Sequence, residues 1–181
     1  MNSSNLLQKQ KEIKSKKTKN LVLISLMVAT SIILTRYLSI MIGNSIRLSF
    51  GYIPIIISAI LTGPIGGLLT GIASDLLGML LRAQGGYFPG FTLSYALIGL
   101  IPGLIFYRSK DNKIFIKLLI SILSIELLIS LLLNTFWLKL IIGKAFLALL
   151  PGRIVARSII APIEFFIIYS FFKYEEFKTR I

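Results

Sequence analysis

Five ionisable residues lie within long apolar stretches of the sequence, where a charged side chain is costly. They are Arg36, Asp75, Glu126, Arg157 and Glu164. In membrane helices such residues pair with one another, or they mark a substrate or ion path. Arg157 and Glu164 are seven residues apart, so they share a helix face and are candidates for a buried ion pair. The five residues therefore predict buried ion pairs, a polar ligand site, or both.

Asp75 lies on a helix face that is otherwise built of small residues. Gly67, Gly71 and Asp75 are spaced by four, and Ser74 and Gly78 extend the same stripe. Small residues let membrane helices approach closely, so this face should point into a helix bundle. Asp75 then accepts either a local hydrogen bond within a tight helix seam or a hydrogen bond from a ligand. We favour the ligand.

A second polar line follows a later apolar stretch. Glu126, Ser130 and Asn134 are spaced by four, and Trp137 follows Asn134 by three, which places all four on one side of a helix. Trp137 alone is typical of an interfacial anchor. Beside Asn134 it also fits the wall of a pocket, so this line predicts a second polar face towards the interior.

An aromatic loop separates two apolar stretches. Residues 85–91 read Gly-Gly-Tyr-Phe-Pro-Gly-Phe. One interpretation is an aromatic belt at the outer membrane surface. The other is a hinged lid over a pocket for a flat ring, because aromatic walls supply apolar area while a few polar groups set orientation.

The elements that must position these residues are helices of membrane length. Of the 181 residues, 55% are hydrophobic and 15% are charged, which leaves too little polar material for a soluble protein. A span needs about 20 apolar residues, and backbone groups in lipid must be satisfied within the helix. We therefore predict an all-α polytopic membrane protein, a bundle of six transmembrane helices.

The six predicted helices are separated by turn signals and polar loops. A turn at Gly63–Pro64 divides the second from the third. Residues 136–150 are expected to form a loop with a short interfacial helix. The predicted helices cover about residues 21–42, 50–62, 65–81, 91–107, 114–135 and 151–172.

Lysine and arginine residues predict the orientation of the chain. The richer side holds a basic and flexible tail at 1–20, the loop 108–113 and the tail 174–181, so both termini are expected in the cytoplasm. The transmembrane substrate-binding domain then covers 21–173. Four basic residues on the other side oppose the rule and indicate attraction of an anionic ligand. They are Arg47, Arg82, Lys139 and Lys144.

The composition argues against several classes of function. The chain has no histidine and no cysteine, which disfavours zinc sites, haem ligation and histidine or cysteine catalysis. It has no P-loop sequence, so it is not itself a P-loop ATPase. The net charge of +13 follows membrane topology rather than a nucleic-acid surface. We expect no enzyme activity, no cofactor and no metal.

Five stretches in order resemble the substrate-binding S components of energy-coupling factor (ECF) vitamin transporters, and folate-specific S components in particular. The stretches cover nearly the whole chain after the basic tail. They are Thr35–Ile40, Ile46–Pro54, Tyr87–Ser94, Leu133–Leu138 and Lys144–Arg153.

The resemblance implies a subunit that captures folate outside a prokaryotic cell for ATP-driven uptake. It implies six helices, an outward-facing pocket, a transmembrane coupling subunit (T component) and two cytoplasmic ATPase subunits. Small residues on the first helix of the family contact the coupling subunit, and here they map to Ser25 and Ala29. The usual pattern has alanine at both ends, so Ser25 is a departure that should preserve docking.

The resemblance also assigns roles within the pocket. Asp75 is the candidate acceptor for the pterin ring, with Asn134 on another ring edge. Aromatic side chains cover the ring or its aminobenzoyl extension. Arg36 and Arg47 are the first candidates for the glutamate carboxylates, with Arg153 and Arg157 behind them. The expected ligand-binding residues are Arg36, Arg47, Asp75, Tyr87, Phe88, Phe91, Tyr95, Asn134, Trp137, Arg153 and Arg157.

Three other functions were weighed. One is an S component for another vitamin or related molecule, such as thiamine or a queuosine precursor; the basic outer residues disfavour thiamine. Another is an enzyme of lipid or polyprenyl chemistry, which usually needs clustered aspartates or a histidine. The last is a stand-alone proton-coupled carrier acting through Asp75, Glu126 or Glu164.

Overall fold

A computed structural model describes residues 3–42, 46–83, 86–108, 113–143 and 145–178 of the chain. Helices dominate it, and a short antiparallel hairpin of strands follows the first helix. The elements are α1 Ser3–Ile32, a π-helical segment Ile33–Tyr37, β1 Ile40–Ile42, β2 Ile46–Leu48, α2 Tyr52–Leu81, α3 Pro89–Arg108, α4 Ile114–Ser124, a second π-helical segment Ile125–Leu133, α5 Asn134–Ile142 and α6 Phe146–Lys178.

Five helical stretches of the described chain are long and apolar enough to cross a bilayer. The chain is therefore a multi-pass membrane protein with a helical framework. The expectation of six separate helices differs from this count, because the second and third predicted helices join in α2. The stretches are Ile13–Tyr37, Tyr52–Leu81, Pro89–Tyr107, Ile114–Ile142 and Phe146–Tyr174.

Helix α2 folds back on itself at Gly63, which has a φ of 85° and a ψ of −177°. The hydroxyls of Ser58 and Thr70 are 2.7 Å apart. In an unbroken helix these residues would be separated by about 18 Å, at a rise of 1.5 Å per residue. A Cβ on Gly67 would lie within 2.5 Å of the Ala59 Cβ, so the two arms pack closely. The predicted turn at Gly63–Pro64 is confirmed.

The glycine face of α2 packs against α3 at backbone distance. A Cβ on Gly71 would overlap the carbonyl oxygen of Tyr95, and a Cβ on Gly67 would overlap that of Gly99. These glycines and Asp75 are buried, so the predicted small-residue stripe does face the interior. The core beside it is mostly isoleucine, with Ile55, Ile56, Ile98, Leu118, Ile125, Ile129 and Ile168 almost fully buried.

The predicted end of the first helix is wrong. The helix ends near Tyr37 instead of Ile42, and Leu38 donates its N–H to the Ile33 carbonyl at 3.0 Å. The chain beyond it pairs as two strands, with Ile40 opposite Leu48 and Ile42 opposite Ile46. Isoleucine is β-branched and favours extended backbone, which explains why this stretch leaves the helix.

Three further features differ from the sequence interpretation. The stretch expected to be a loop at 136–150 is mostly helical, because α5 continues to Ile142. Gly143 ends it with a φ of 72°, the left-handed conformation typical of helix C-termini. Helix α6 then begins at Phe146, before the predicted Pro151. The segment expected to be flexible at the N-terminus is helical from Ser3.

Candidate substrate-binding site

Asp75 lies in a polar cluster where the first π-helical segment, α2 and α3 meet. We call Arg36, Asp75, Arg82 and Thr92 the Asp75 cluster. Arg36 Nη2 lies 3.4 Å from Asp75 Oδ1, and both side chains are 5% exposed. The Thr92 hydroxyl donates to Asp75 Oδ2 at 2.7 Å. Both carboxylate oxygens therefore have partners.

The same cluster holds the loop that follows α2. Arg82 donates from Nη1 to the Arg36 carbonyl at 3.0 Å, and its guanidinium lies 5.2 Å from the Tyr37 ring centroid. Its backbone N–H caps the end of α2 by donating to Gly78. Tyr87 is exposed, and its hydroxyl oxygen lies 3.3 Å from the Thr92 hydroxyl oxygen. Arg82 thus belongs to the C-terminal end of α2 and joins it to the first π-helical segment.

A second cluster lies between the second π-helical segment and α6. Arg157 bonds Glu126 through both Nε and Nη2, and it bonds Glu164 Oε2 at 3.1 Å. We call these three residues the Arg157 clamp; all are buried. The predicted Arg157–Glu164 pair is confirmed, and Glu126 is a second partner. Paired in this way, the charges avoid much of the cost of burial.

A third group lies beside the clamp and consists of Tyr52, Asn134 and Arg153; we call it the Asn134 cluster. The Arg157 guanidinium sits 4.8 Å from the Tyr52 ring centroid. Asn134 donates from Nδ2 to the Tyr52 hydroxyl at 3.5 Å, and Arg153 Nη2 donates to the Ser130 carbonyl at 2.9 Å. Among the described residues, Asn134 Oδ1 and Arg153 Nε are buried without a hydrogen-bond partner.

Aromatic residues cover this group at the start of α3 and on α5. Phe88 lies 5.5 Å from Trp137 and 6.1 Å from Phe91, measured between ring centroids. Trp137 donates from Nε1 to the Ser94 hydroxyl at 3.3 Å. A Cβ on Gly90 would meet both Phe88 and Trp137 within 2.7 Å. Only glycine at position 90 leaves room for the Phe88 and Trp137 rings to pack at the N-terminus of α3.

The structure distributes the predicted ligand residues over several groups. Arg36 and Asp75 share the Asp75 cluster, with Tyr87 at its edge. Asn134 and Arg153 lie in the Asn134 cluster beside Arg157, and the Tyr95 ring packs edge-on against Tyr52 at 5.9 Å. Three aromatic side chains pack with one another: Phe88, Phe91 and Trp137. Arg47 lies on β2, but its side chain is outside the described residues, as is all of Lys144.

Sequence reasoning missed two contacts that shape these clusters. Tyr52 lies at the first residue of α2, and only its place in the motif Ile46–Pro54 singled it out. Thr92 lies one turn into α3 and reaches back to Asp75. Both contacts join residues far apart in the chain, so helix periodicity carried no signal for them.

Both π-helical segments hold charged site residues. Arg36 is buried in the first segment and Glu126 in the second. Such wide turns often occur at functional sites. In the described part of the chain, no group of three or more histidine, cysteine, aspartate or glutamate residues is placed to hold a metal ion.

Comparison with known families decides the class of this protein. The profile described as "ECF-type riboflavin transporter, S component" matches residues 15–172. The chain belongs to this family of S components. It is therefore the substrate-binding subunit of an ECF-type transporter rather than an enzyme.

Individual relatives of this S component refine the comparison. The folate transporter FolT of Clostridium novyi (strain NT) is 37% identical over 110 residues, which is 61% of this chain. The match spans 63% of that relative, less than two thirds of its length. A crystal structure of FolT bound with folic acid superposes with a TM-score of 0.75 at 28% identity, covering 83% of this chain and 90% of that one.

A more distant S component shares the fold. The 2.1 Å crystal structure of an S component for biotin superposes with a TM-score of 0.69 at 21% identity. The superposition covers 88% of this chain and 93% of that one. Proteins named for different vitamins therefore share the helical framework of this S component, and the ligand must be argued from the site residues.

Proposed function

We propose that this S component captures folate from outside a prokaryotic cell for ATP-driven uptake. The observation that carries the proposal is the Asn134 cluster. A buried amide acceptor and a buried guanidinium donor lie without partners among the described residues. Asn134 precedes Trp137 by three residues on α5, and the Trp137 ring contacts Phe88. Folate offers a flat ring with hydrogen-bonding edges and an anionic tail. The FolT likenesses support the same ligand.

Arg153 is the residue we assign to the glutamate carboxylates. It forms no ion pair with a carboxylate of the described residues, whereas Arg157 is held by Glu126 and Glu164. Its buried Nε is a donor left open, and guanidinium groups bind carboxylates in a fork geometry. Arg47 is a further candidate from the sequence alone.

Asp75 and Arg36 remain predicted ligand residues. Each Asp75 oxygen has one partner, Thr92 or Arg36, and keeps a second lone pair that a ligand donor would use. Tyr87 and Phe91 would border the ring, and Tyr95 would support it through Tyr52. Phe88 and Trp137 would cover it.

We further propose how the subunit sits in its transporter. Both arms of α2 cross the plasma membrane, which gives six spans with both termini in the cytoplasm. The T component docks on the face of α1 that carries Ser25 and Ala29; both are exposed, and the Ser25 hydroxyl is satisfied by the Leu21 carbonyl at 2.9 Å. Two cytoplasmic ATPases complete the complex. Residues 1–20 and 174–181 are the tails of a domain at 21–173.

Fluorescence titration tests the ligand assignment. Trp137 is the only tryptophan of the chain, so its quenching by folic acid in detergent reports on the Asn134 cluster. Saturable quenching, with matching binding of radiolabelled folic acid, is the expected result. Absence of both signals would contradict the proposal.

Riboflavin is the second candidate, because the matching family profile carries its name. Its ring resembles a pterin in flatness and in its N–H and C=O groups, but it has no carboxylate tail. Unlabelled riboflavin and biotin therefore serve as competitors of labelled folic acid. Displacement by riboflavin at lower concentration than by folic acid would transfer the assignment to riboflavin.

A further inference from the structure

Tyr52 and Asn134 meet across the bundle although 82 residues separate them in the chain. Tyr52 opens α2, and Asn134 lies where the second π-helical segment becomes α5. The Asn134 amide nitrogen donates to the Tyr52 hydroxyl. In this orientation the amide oxygen is the end that does not contact Tyr52. Asn134 is only 5% exposed, so water does not readily replace the partner that its oxygen lacks.

The Tyr52 ring is held from two sides. The guanidinium of Arg157 lies over it, and the edge of Tyr95 packs against it. Arg157 is in turn fixed by Glu126 and Glu164, so its guanidinium has little freedom to move. The Arg157 clamp therefore explains why a tyrosine stands here with its hydroxyl at a defined place.

The contact leaves one donor and one acceptor side by side. Because the Tyr52 oxygen accepts from Asn134, the hydroxyl hydrogen points elsewhere and is available to a ligand. Asn134 Oδ1 is the neighbouring acceptor, and it has no partner among the described residues. A ring that carries an N–H beside a C=O matches this pair in both positions.

We propose that Tyr52 is a specificity-determining residue that orients the Asn134 amide, so that the pair recognises the N–H and C=O edge of a lactam ring. The inference rests on the proposed function, since it names the edge of the folate ring that the site reads. Arg157 acts through Tyr52 as a positioning residue.

A 4-amino analogue of folic acid reverses this edge. Its ring nitrogen is a bare acceptor, and an amino group replaces the carbonyl. Asn134 Oδ1 then faces a lone pair, and the Tyr52 hydroxyl faces a donor. Each buried polar group left without a partner weakens binding. The protein should therefore bind folic acid about 10- to 100-fold more tightly than the analogue.

Calorimetric titration of both compounds into the purified protein tests the inference. Tyr52→Phe removes the hydroxyl and frees the amide to turn, while the ring stays available to Arg157. We expect the preference for folic acid over the 4-amino analogue to fall at least fivefold, mainly through weaker folic acid binding. Asn134→Leu should lower the same ratio with Tyr52 in place.

Tyr169→Phe is the matched control. Tyr169 lies at the other end of α6, where its ring contacts Phe115 and Phe165, and this variant should keep the wild-type ratio. An equal loss of affinity for both compounds in Tyr52→Phe and in Asn134→Leu would overturn the inference. Failure of the wild-type protein to bind either compound would instead overturn the proposed function.

Discussion

The Asp75 cluster and the Asn134 cluster are both polar and buried, but their hydrogen bonding differs. In the first, each Asp75 oxygen has a partner, and Arg82 links Arg36 back to α2. In the second, a carbonyl oxygen of Asn134 and a nitrogen of Arg153 are open among the described residues. The hydrogen bonds of the Asp75 cluster join the ends of helices, whereas the Asn134 cluster holds an acceptor and a donor that no described residue engages.

The comparison distinguishes the residues that are costly to bury in a membrane from the residues that we assign to ligand binding. The charged residues that the sequence marks as expensive in a membrane largely neutralise one another here. Arg36 faces Asp75, and Arg157 faces two glutamates. The open atoms of the Asn134 cluster belong to a neutral amide and to Arg153, which contacts a backbone carbonyl instead of a carboxylate. We therefore assign ligand recognition to Asn134 and Arg153, which take no part in the ion pairs.

The largest expected effect comes from breaking the Arg157 clamp. Arg157→Met leaves Glu126 and Glu164 buried without their cation, and removal of one partner of a buried pair costs about 3–5 kcal/mol. Arg36→Met in the Asp75 cluster should cost less, about 1–3 kcal/mol, because Thr92 still donates to Asp75. Thermal unfolding of both variants in detergent measures the contrast.

Equal losses of stability in Arg157→Met and Arg36→Met would show that the Arg157 clamp and the Asp75 cluster stabilise the fold equally. A triple change of Glu126, Arg157 and Glu164 to apolar residues of similar size is a useful control. It removes the unpaired charges and should recover much of the stability. It should still weaken folic acid binding, because Tyr52 loses the guanidinium that holds its ring.

The next largest effect should come from Arg153, whose Nε has no hydrogen-bond partner among the described residues. Arg153→Gln should weaken folic acid binding about 10- to 100-fold, the value of a charge-assisted hydrogen bond of roughly 1.5–3 kcal/mol. The dimethyl ester of folic acid lacks the anionic tail, so its affinity should change less than about threefold. Calorimetric titration of both compounds gives the comparison.

Arg82→Gln is the matched control for Arg153→Gln. Arg82 also donates to a backbone carbonyl, but it lies in the Asp75 cluster and is exposed. Its loss should leave folic acid affinity near the wild-type value. A larger loss in Arg82→Gln than in Arg153→Gln would place the anion site in the Asp75 cluster and reverse the comparison.

The sequence predicted those features that depend on neighbouring residues. Gly63–Pro64 marks a turn by residue type alone, and the stripe of Gly67, Gly71 and Asp75 shows a buried face by its spacing. Arg157 and Glu164 are two turns apart on one helix, so their pairing follows from periodicity. Each of these predictions is confirmed by the structure.

Features that depend on distant partners were not predictable in this way. Asn134 and Tyr52 meet only because α2 and α5 pack together, and nothing local distinguishes Tyr52 from an interfacial tyrosine. Glu126 could have paired with any of several arginines. The strands at Ile40–Ile42 and Ile46–Leu48 stabilise each other across a turn, so neither strand is evident from its three residues alone.

A smaller effect on binding is expected from Asp75→Asn. The amide keeps an acceptor for Thr92 but loses the charge that faces Arg36, so the cluster weakens without opening a ligand group. Folic acid affinity should fall less than about threefold, or about 0.7 kcal/mol. The folic acid affinity of Asn134→Leu, measured in the same titration, should fall by well over threefold. Loss of binding in Asp75→Asn alone would restore Asp75 as the acceptor for the pterin ring.

The smallest effect on ligand binding should come from the exposed face of α1, which lies outside both clusters. Ala29→Phe adds a bulky ring where we propose that the T component docks, because small residues permit close helix contact. Folic acid affinity of the isolated subunit should stay at the wild-type value, while co-purification with the coupling subunit and ATPases falls sharply. Ser25→Ala should preserve co-purification, because the hydroxyl bonds only to its own helix. Weakened folic acid binding in Ala29→Phe would mean that α1 transmits changes to Arg36 at its outer end, and the two clusters would then no longer be independent of the docking face.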